Sequence, residues 1–135
     1  SIDHIIKFLS GFLFITWYTP WPECAHFCEV YCSAMEKYGF PPTMWVASIE
    51  RARQAICMPI ICFDSTKTEE LERVQDLNRE TTEYGLKQGW LNYRPDPYIH
   101  IQAYYQAGMY WKYLRMFKKL VDPNGILHPG RLALP

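Results

Sequence analysis

Thr43-Met44-Trp45-Val46-Ala47-Ser48-Ile49 and, after a polar link, Ala55-Ile56-Cys57-Met58-Pro59-Ile60-Ile61-Cys62-Phe63 decide how this chain folds. Both runs are rich in β-branched and aromatic side chains and carry no helical period, so each is predicted to be a strand. Glu50, Arg51, Arg53 and Gln54 between them suit a solvated connection. Pro59 has no N–H to give to a ladder, which predicts an edge position or a bulge for the second strand.

Upstream, residues 12–19 read as a further strand, ended by Pro20 and Pro22. A helix is predicted over 23–38, with Gly39 placed to take the left-handed conformation of a C-terminal cap and Pro41-Pro42 preventing continuation. Downstream, Thr66 with Glu69 has the spacing of a capping box, and residues 66–88 favour helix. Glu69 with Arg73, and Glu83 with Lys87, are spaced to pair across one turn. Leu71, Val74, Leu77 and Asn78 then point toward the sheet. Gly89 closes this helix, and a short strand is expected over 90–94. Over 103–120 Tyr110, Tyr113, Leu114 and Phe117 recur at helical spacing opposite Lys112, Arg115 and Lys119, a stripe that reads as core. The order predicts an α+β layer, a mostly antiparallel sheet with helices packed on one face, ending in a helix and an extended tail. Such a sheet has a second face, which needs a cover if it is the aromatic one.

Fourteen basic residues balance fourteen acidic ones, so no bulk electrostatic attraction to nucleic acid or an anionic membrane is expected. The apolar run 5–18 is broken by Lys7, Ser10 and Gly11 and falls short of the ~20 residues of a membrane-spanning helix. No secretory signal is legible at the start, and Ser1 reads as a beginning within something larger. The five cysteines are odd in number and none forms Cys-x-x-Cys; reduced thiols and an intracellular, cytoplasmic location are expected. Cys24, Cys28 and Cys32 recur every fourth residue. A metal site is one reading of that spacing, but the stripe continues through Tyr31, Met35 and Tyr38 as ordinary helix core, so no metal is predicted.

The sharpest chemical candidate is Tyr93-Arg94, followed by Pro95-Asp96-Pro97. The planar fork of Arg94 can hold a carboxylate or phenolate, and an adjacent Tyr93 can donate to the same anion. Neighbours on a strand point to opposite faces, so both reach one ligand only where the strand bends, as the two prolines predict. A surface Arg94 paired with Asp96 is the alternative. His100 follows this bend and could line a pocket, while His4, His26 and His128 stand apart. No motif for hydrolysis or phosphoryl transfer is present. The chain closes on Asp122-Pro123-Asn124-Gly125-Ile126-Leu127-His128-Pro129-Gly130-Arg131. Two prolines preset φ, two glycines permit positive φ, and Asp122 and Asn124 can close local turns, so the tail is built to lie against something.

Three motifs in register carry a resemblance. Glu36-Lys37-Tyr38-Gly39-Phe40, Gly89-Trp90-Leu91-Asn92-Tyr93-Arg94 and the Asp122–Arg131 tail together resemble FAD-linked oxidases of the vanillyl-alcohol oxidase and 4-cresol dehydrogenase type. The resemblance implies a ferredoxin-like substrate cap over residues 1–100, with residues 101–135 as a helix and tail returning to an FAD-binding domain that largely precedes Ser1. It implies that Tyr93 and Arg94 bind a deprotonated phenol, that Asn124, Gly125, Ile126, Pro129, Gly130 and Arg131 lie along FAD, and that a small aromatic substrate is oxidised by hydride transfer to the flavin. A homo-oligomer is expected. Some family members attach FAD covalently; Tyr18 stands near the matching place, and noncovalent FAD is expected here. The sequence departs from the family at Pro95-Asp96, where a polar pair is usual, and at Arg53-Gln54-Ala55, where many members carry two histidines. The alternatives are oxidation of a 2-hydroxy acid, with Arg94 on its carboxylate, and a noncatalytic aromatic-lined interaction module.

Overall fold

In the computed structural model, which describes residues 11–93 and 100–130, strands β1 (Gly11–Phe14) and β2 (Trp17–Pro20) run as one line along β4 (Gln54–Phe63). Gly11 opposite Phe63 and Trp17 opposite Cys57 keep a single antiparallel register across the gap between them. Pro59 explains the gap. The N–H of Ile15 donates to the Pro59 carbonyl at 3.4 Å, but proline has no N–H to return, and the pairing lapses at residues 15–16. The single strand predicted over 12–19 is therefore two. Pro59 is neither on an edge nor at a bulge, because β3 (Met44–Ile49) pairs with the other side of β4. β5 (Leu91–Asn92) pairs antiparallel with the outer side of β2, completing a five-stranded sheet.

The link between β3 and β4 is tighter than its composition implied. Glu50, Arg51 and Ala52 hold φ of 51°, 57° and 60°, three successive non-glycine residues in the left-handed region. The Arg53 N–H and its Nε both donate to the Glu50 carbonyl, and the Arg53 carbonyl accepts from Trp21 N–H.

Alternation along β4 buries Ala55, Cys57, Pro59, Ile61 and Phe63 on one side only. Two helices cover that side. α1 (Cys24–Lys37) follows a 3-10 turn at Trp21–Glu23 and stops at Gly39, whose φ of 77° and N–H to the Glu36 carbonyl make the predicted cap. α2 (Thr68–Lys87) starts two residues later than expected, without a Thr66 cap. Thr66 instead donates to Asp64, and Glu70 accepts from the Asp64 N–H at 2.8 Å. The acid that reaches back is thus Glu70 rather than Glu69. Arg73 donates to the Tyr38 carbonyl at 2.9 Å and stacks over Phe40, tying α2 to the end of α1 instead of forming the expected pair with Glu69. Val74 and Leu77 are buried as predicted, whereas Leu71 is exposed.

One end of the layer is aliphatic, built from Met35, Ile61, Val74 and Leu77 with Phe40 and Phe63. The other is aromatic. Phe27 stacks on Tyr31 at 4.5 Å and lies 4.8 Å from Trp90, whose indole N–H donates to Glu23 at 2.7 Å. A Cβ at Gly85 would come within 3.0 Å of the Trp17 ring and 3.2 Å of Trp90. Glycine inside a helix costs about 1 kcal/mol, and here that cost is offset by letting α2 settle directly on two tryptophans.

The chain falls into two compact units, Ser1–Arg94 and Pro95–Pro135. In the second, the helix predicted over 103–120 is broken into α3 (His100–Gln106) and α4 (Met109–Val121) at Gly108, where φ is 54°. The aromatic stripe is a further correction. Tyr110, Tyr113 and Phe117 are exposed, and α4 buries none of its residues. Among the described residues no helix is long and apolar enough to cross a membrane.

Candidate functional site

The side of the sheet turned away from α1 and α2 carries Phe12 and Phe14 from β1, Tyr18 from β2, Trp45 from β3, Ile56, Met58, Ile60 and Cys62 from β4, and Leu91 from β5. Register fixes this grouping: Phe12 lies opposite Cys62, Phe14 opposite Ile60, Tyr18 opposite both Ile56 and Leu91, and Trp45 opposite Met58. Phe12 and Phe14 stack at 5.6 Å with roughly half their surface open to solvent. Scattered apolar residues are normal on a surface, but a continuous apolar sheet face marks a binding surface. The second face is therefore the aromatic one.

Tyr93 stands at one corner of this face. Its N–H donates to the Thr16 carbonyl at 2.8 Å, carrying the β2–β5 pairing one residue beyond β5. Its ring meets Tyr18 edge-on at 5.1 Å. Alternation puts Leu91 and Tyr93 on the open side and Asn92 on the buried one. The structure thus brings together two tyrosines that the sequence singled out separately. Arg94, the bend predicted at 95–97 and the side chain of His100 lie outside the described residues. Phe12, Phe14, Trp45 and Met58 are not among the site residues expected from sequence, although strict alternation with their buried neighbours carries the signal. Two clefts flank α2: one of about 420 Å³ between α1 and α2 mixes charged side chains with Val30, Ala34, Thr81 and Tyr84, and one of about 380 Å³ is lined mostly by charged residues; Tyr93 borders neither.

The second candidate element is the tail after α4. The Asp122 carboxylate accepts from the N–H groups of Ile126 and Leu127, each at 2.9 Å, and from the Lys118 ammonium, which also donates to the Leu127 carbonyl. Gly125 and Gly130 have φ of 64° and 73°, and His128 shares the left-handed region at 45°. Ile126 and Leu127 project outward, and Asn124 and Pro129 are exposed. Arg131 lies outside the described residues. The anticipated local turn is thus built by Asp122.

The Lys118 ammonium, helped by the two backbone donors and opposed by desolvation, holds Asp122 well below the usual carboxylate range, at about 2. A depressed folded-state pKa means the contribution is fully present above the unfolded value near ~4 and disappears as pH falls through about 2. Amide-exchange protection at Ile126 and Leu127 should follow that course in the native protein. In Asp122→Ala it should already be lost at neutral pH; protection retained in that variant would show that the carboxylate does not organise the turn.

The sequence matches no family model and no curated protein. The fold, however, has a solved counterpart in 4-ethylphenol oxidase from Gulosibacter chungangensis, determined as an isoeugenol complex, with a TM-score of 0.81 over 92% of this chain. The fold is that of the C-terminal domain of a vanillyl-alcohol-type oxidase. Identity over the match is 18%, and the chain spans 24% of the length of that oxidase.

Proposed function

We propose that this chain is the substrate-capping and C-terminal part of an FAD-dependent oxidoreductase that oxidises para-hydroxybenzylic substrates. The observation that carries this reading is the open aromatic sheet face ending at Tyr93, in a fold shared with an oxidase named for a para-alkyl phenol. A flat aromatic substrate gains from stacking and from leaving water on such a face. At its edge the Tyr93 hydroxyl donates to the phenolate oxygen, and the Arg94 guanidinium holds the negative charge that pushes electrons toward the benzylic carbon. The acceptor for the hydride leaving that carbon is supplied by FAD.

The tail is suited to one edge of that cofactor. A Cβ at Gly125 or Gly130 would meet nothing within 4 Å, and Ile126 and Leu127 offer an exposed apolar shoulder, so a flat ring system can approach the backbone closely. Asn124, Gly125, Ile126, Pro129, Gly130 and Arg131 are assigned to this contact. The remaining contacts come from an FAD-binding domain in the rest of a longer protein, which we take to be a homo-oligomer.

The full-length protein is expected to be yellow, with flavin absorbance near ~450 nm that a 4-alkylphenol bleaches in the absence of oxygen. A folded, colourless full-length protein that takes up no added FAD would remove the proposal.

A further inference from the structure

We propose that Cys24 and Cys57 form a reversible disulfide when a hydroperoxide reaches the protein, pinning the first turn of α1 to the middle of β4. The two sulfurs lie 3.8 Å apart although the residues are 33 positions apart in sequence. A disulfide is ~2.04 Å long, so closure requires less than ~2 Å of approach, a distance side-chain torsions cover at the first residue of a helix.

The surroundings assign different roles to the two thiols. Cys24 is partly exposed, whereas Cys57 is fully buried on the helix side of the sheet, with the Thr19 hydroxyl 3.6 Å from its sulfur. Burial pushes the Cys57 thiol up to about 12, so it stays protonated and is shielded from a dissolved oxidant. Oxidation therefore enters at Cys24. The Cys24 sulfur attacks one peroxide oxygen, the O–O bond breaks, and the other oxygen leaves as an alcohol or water, giving a sulfenic acid. The Cys57 sulfur then attacks Cys24, the S–S bond forms, and the sulfenic hydroxyl departs as water with the Cys57 proton. Two thiols lose two electrons to one hydroperoxide in total.

Cys28 is the competitor. It also neighbours Cys24, and burial first, then Cys24, push its thiol up to about 11. However, residues four apart on a helix have Cβ atoms ~5–6 Å apart, beyond the ~3.5–4.5 Å of a disulfide, so pairing within α1 would distort the helix. Among the described residues no group of His, Cys, Asp or Glu is disposed to hold a metal ion.

The test treats full-length protein with hydrogen peroxide, alkylates the remaining thiols and maps the peptides. A Cys24 peptide joined to a Cys57 peptide, released by dithiothreitol, is expected. The link should persist in Cys28→Ser, and in Cys24→Ser the Cys57 thiol should remain free. Recovery of all five cysteines alkylated, a Cys24–Cys28 link, or Cys24 carried to the sulfonic acid with no link would each overturn the proposal. The mapping does not depend on FAD or on turnover, so its failure leaves the proposed function untouched.

Discussion

Arg94→Ala in the full-length protein is expected to lower kcat/KM for a 4-alkylphenol about 30- to 900-fold, corresponding to ~2–4 kcal/mol of transition-state stabilisation. The unfolding midpoint should not move. Tyr93 lies with its ring against Tyr18 on the open sheet face, and Arg94 is the next residue along the chain. A phenol must carry negative charge to expel a hydride from its benzylic carbon, and a fixed cation beside the oxygen favours that charge most as the bond breaks. The effect should therefore fall on kcat as well as on binding. Arg94→Lys should recover part of the loss, because a point charge remains while the planar fork is gone. Equal kcat/KM in Arg94→Ala and the native protein would take Arg94 out of the site.

How much of this could be read from sequence depended on whether one element or several supplied the information. β4 was legible because its alternation is internal to the strand, and the ends of α1 and α2 because Gly39 and Gly89 act locally, at φ of 77° and 80°. The position of Pro59 is not legible locally, because a missing N–H tells only that one ladder bond is absent, not which neighbour lacks it. Gly108 does not interrupt the helical pattern in the sequence, because one glycine lowers helix stability by only about 1 kcal/mol. The stripe on α4 reads as core in the sequence because an apolar face has the same period whatever covers it. Tyr93 stood out through its resemblance to a family motif, but its meeting with Tyr18 rests on β2 pairing with β5, a long-range choice that no local pattern records. The approach of Cys24 to Cys57 is of the same kind.

Trp17→Ala should destabilise the protein by about 3–5 kcal/mol, the usual range for deleting a fully buried tryptophan side chain. Trp17 is 0% exposed and occupies the junction of the layer. In the sheet it lies opposite Cys57 of β4 and Asn92 of β5. Above the sheet its ring approaches Tyr31 of α1 at 6.5 Å, and a Cβ on Gly85 of α2 would come within 3.0 Å of it. Truncation therefore opens a cavity under both helices at once, and the surrounding rings cannot collapse into it without tilting α2. Denaturant titration should show a lower midpoint with the slope preserved, the signature of lost stability without a change in the surface exposed. Trp17→Phe, which keeps most of the apolar ring, should lose markedly less. An unmoved midpoint in Trp17→Ala would mean that the helices are not joined to the sheet through this residue, and the glycine at position 85 would then have no packing reason to be there.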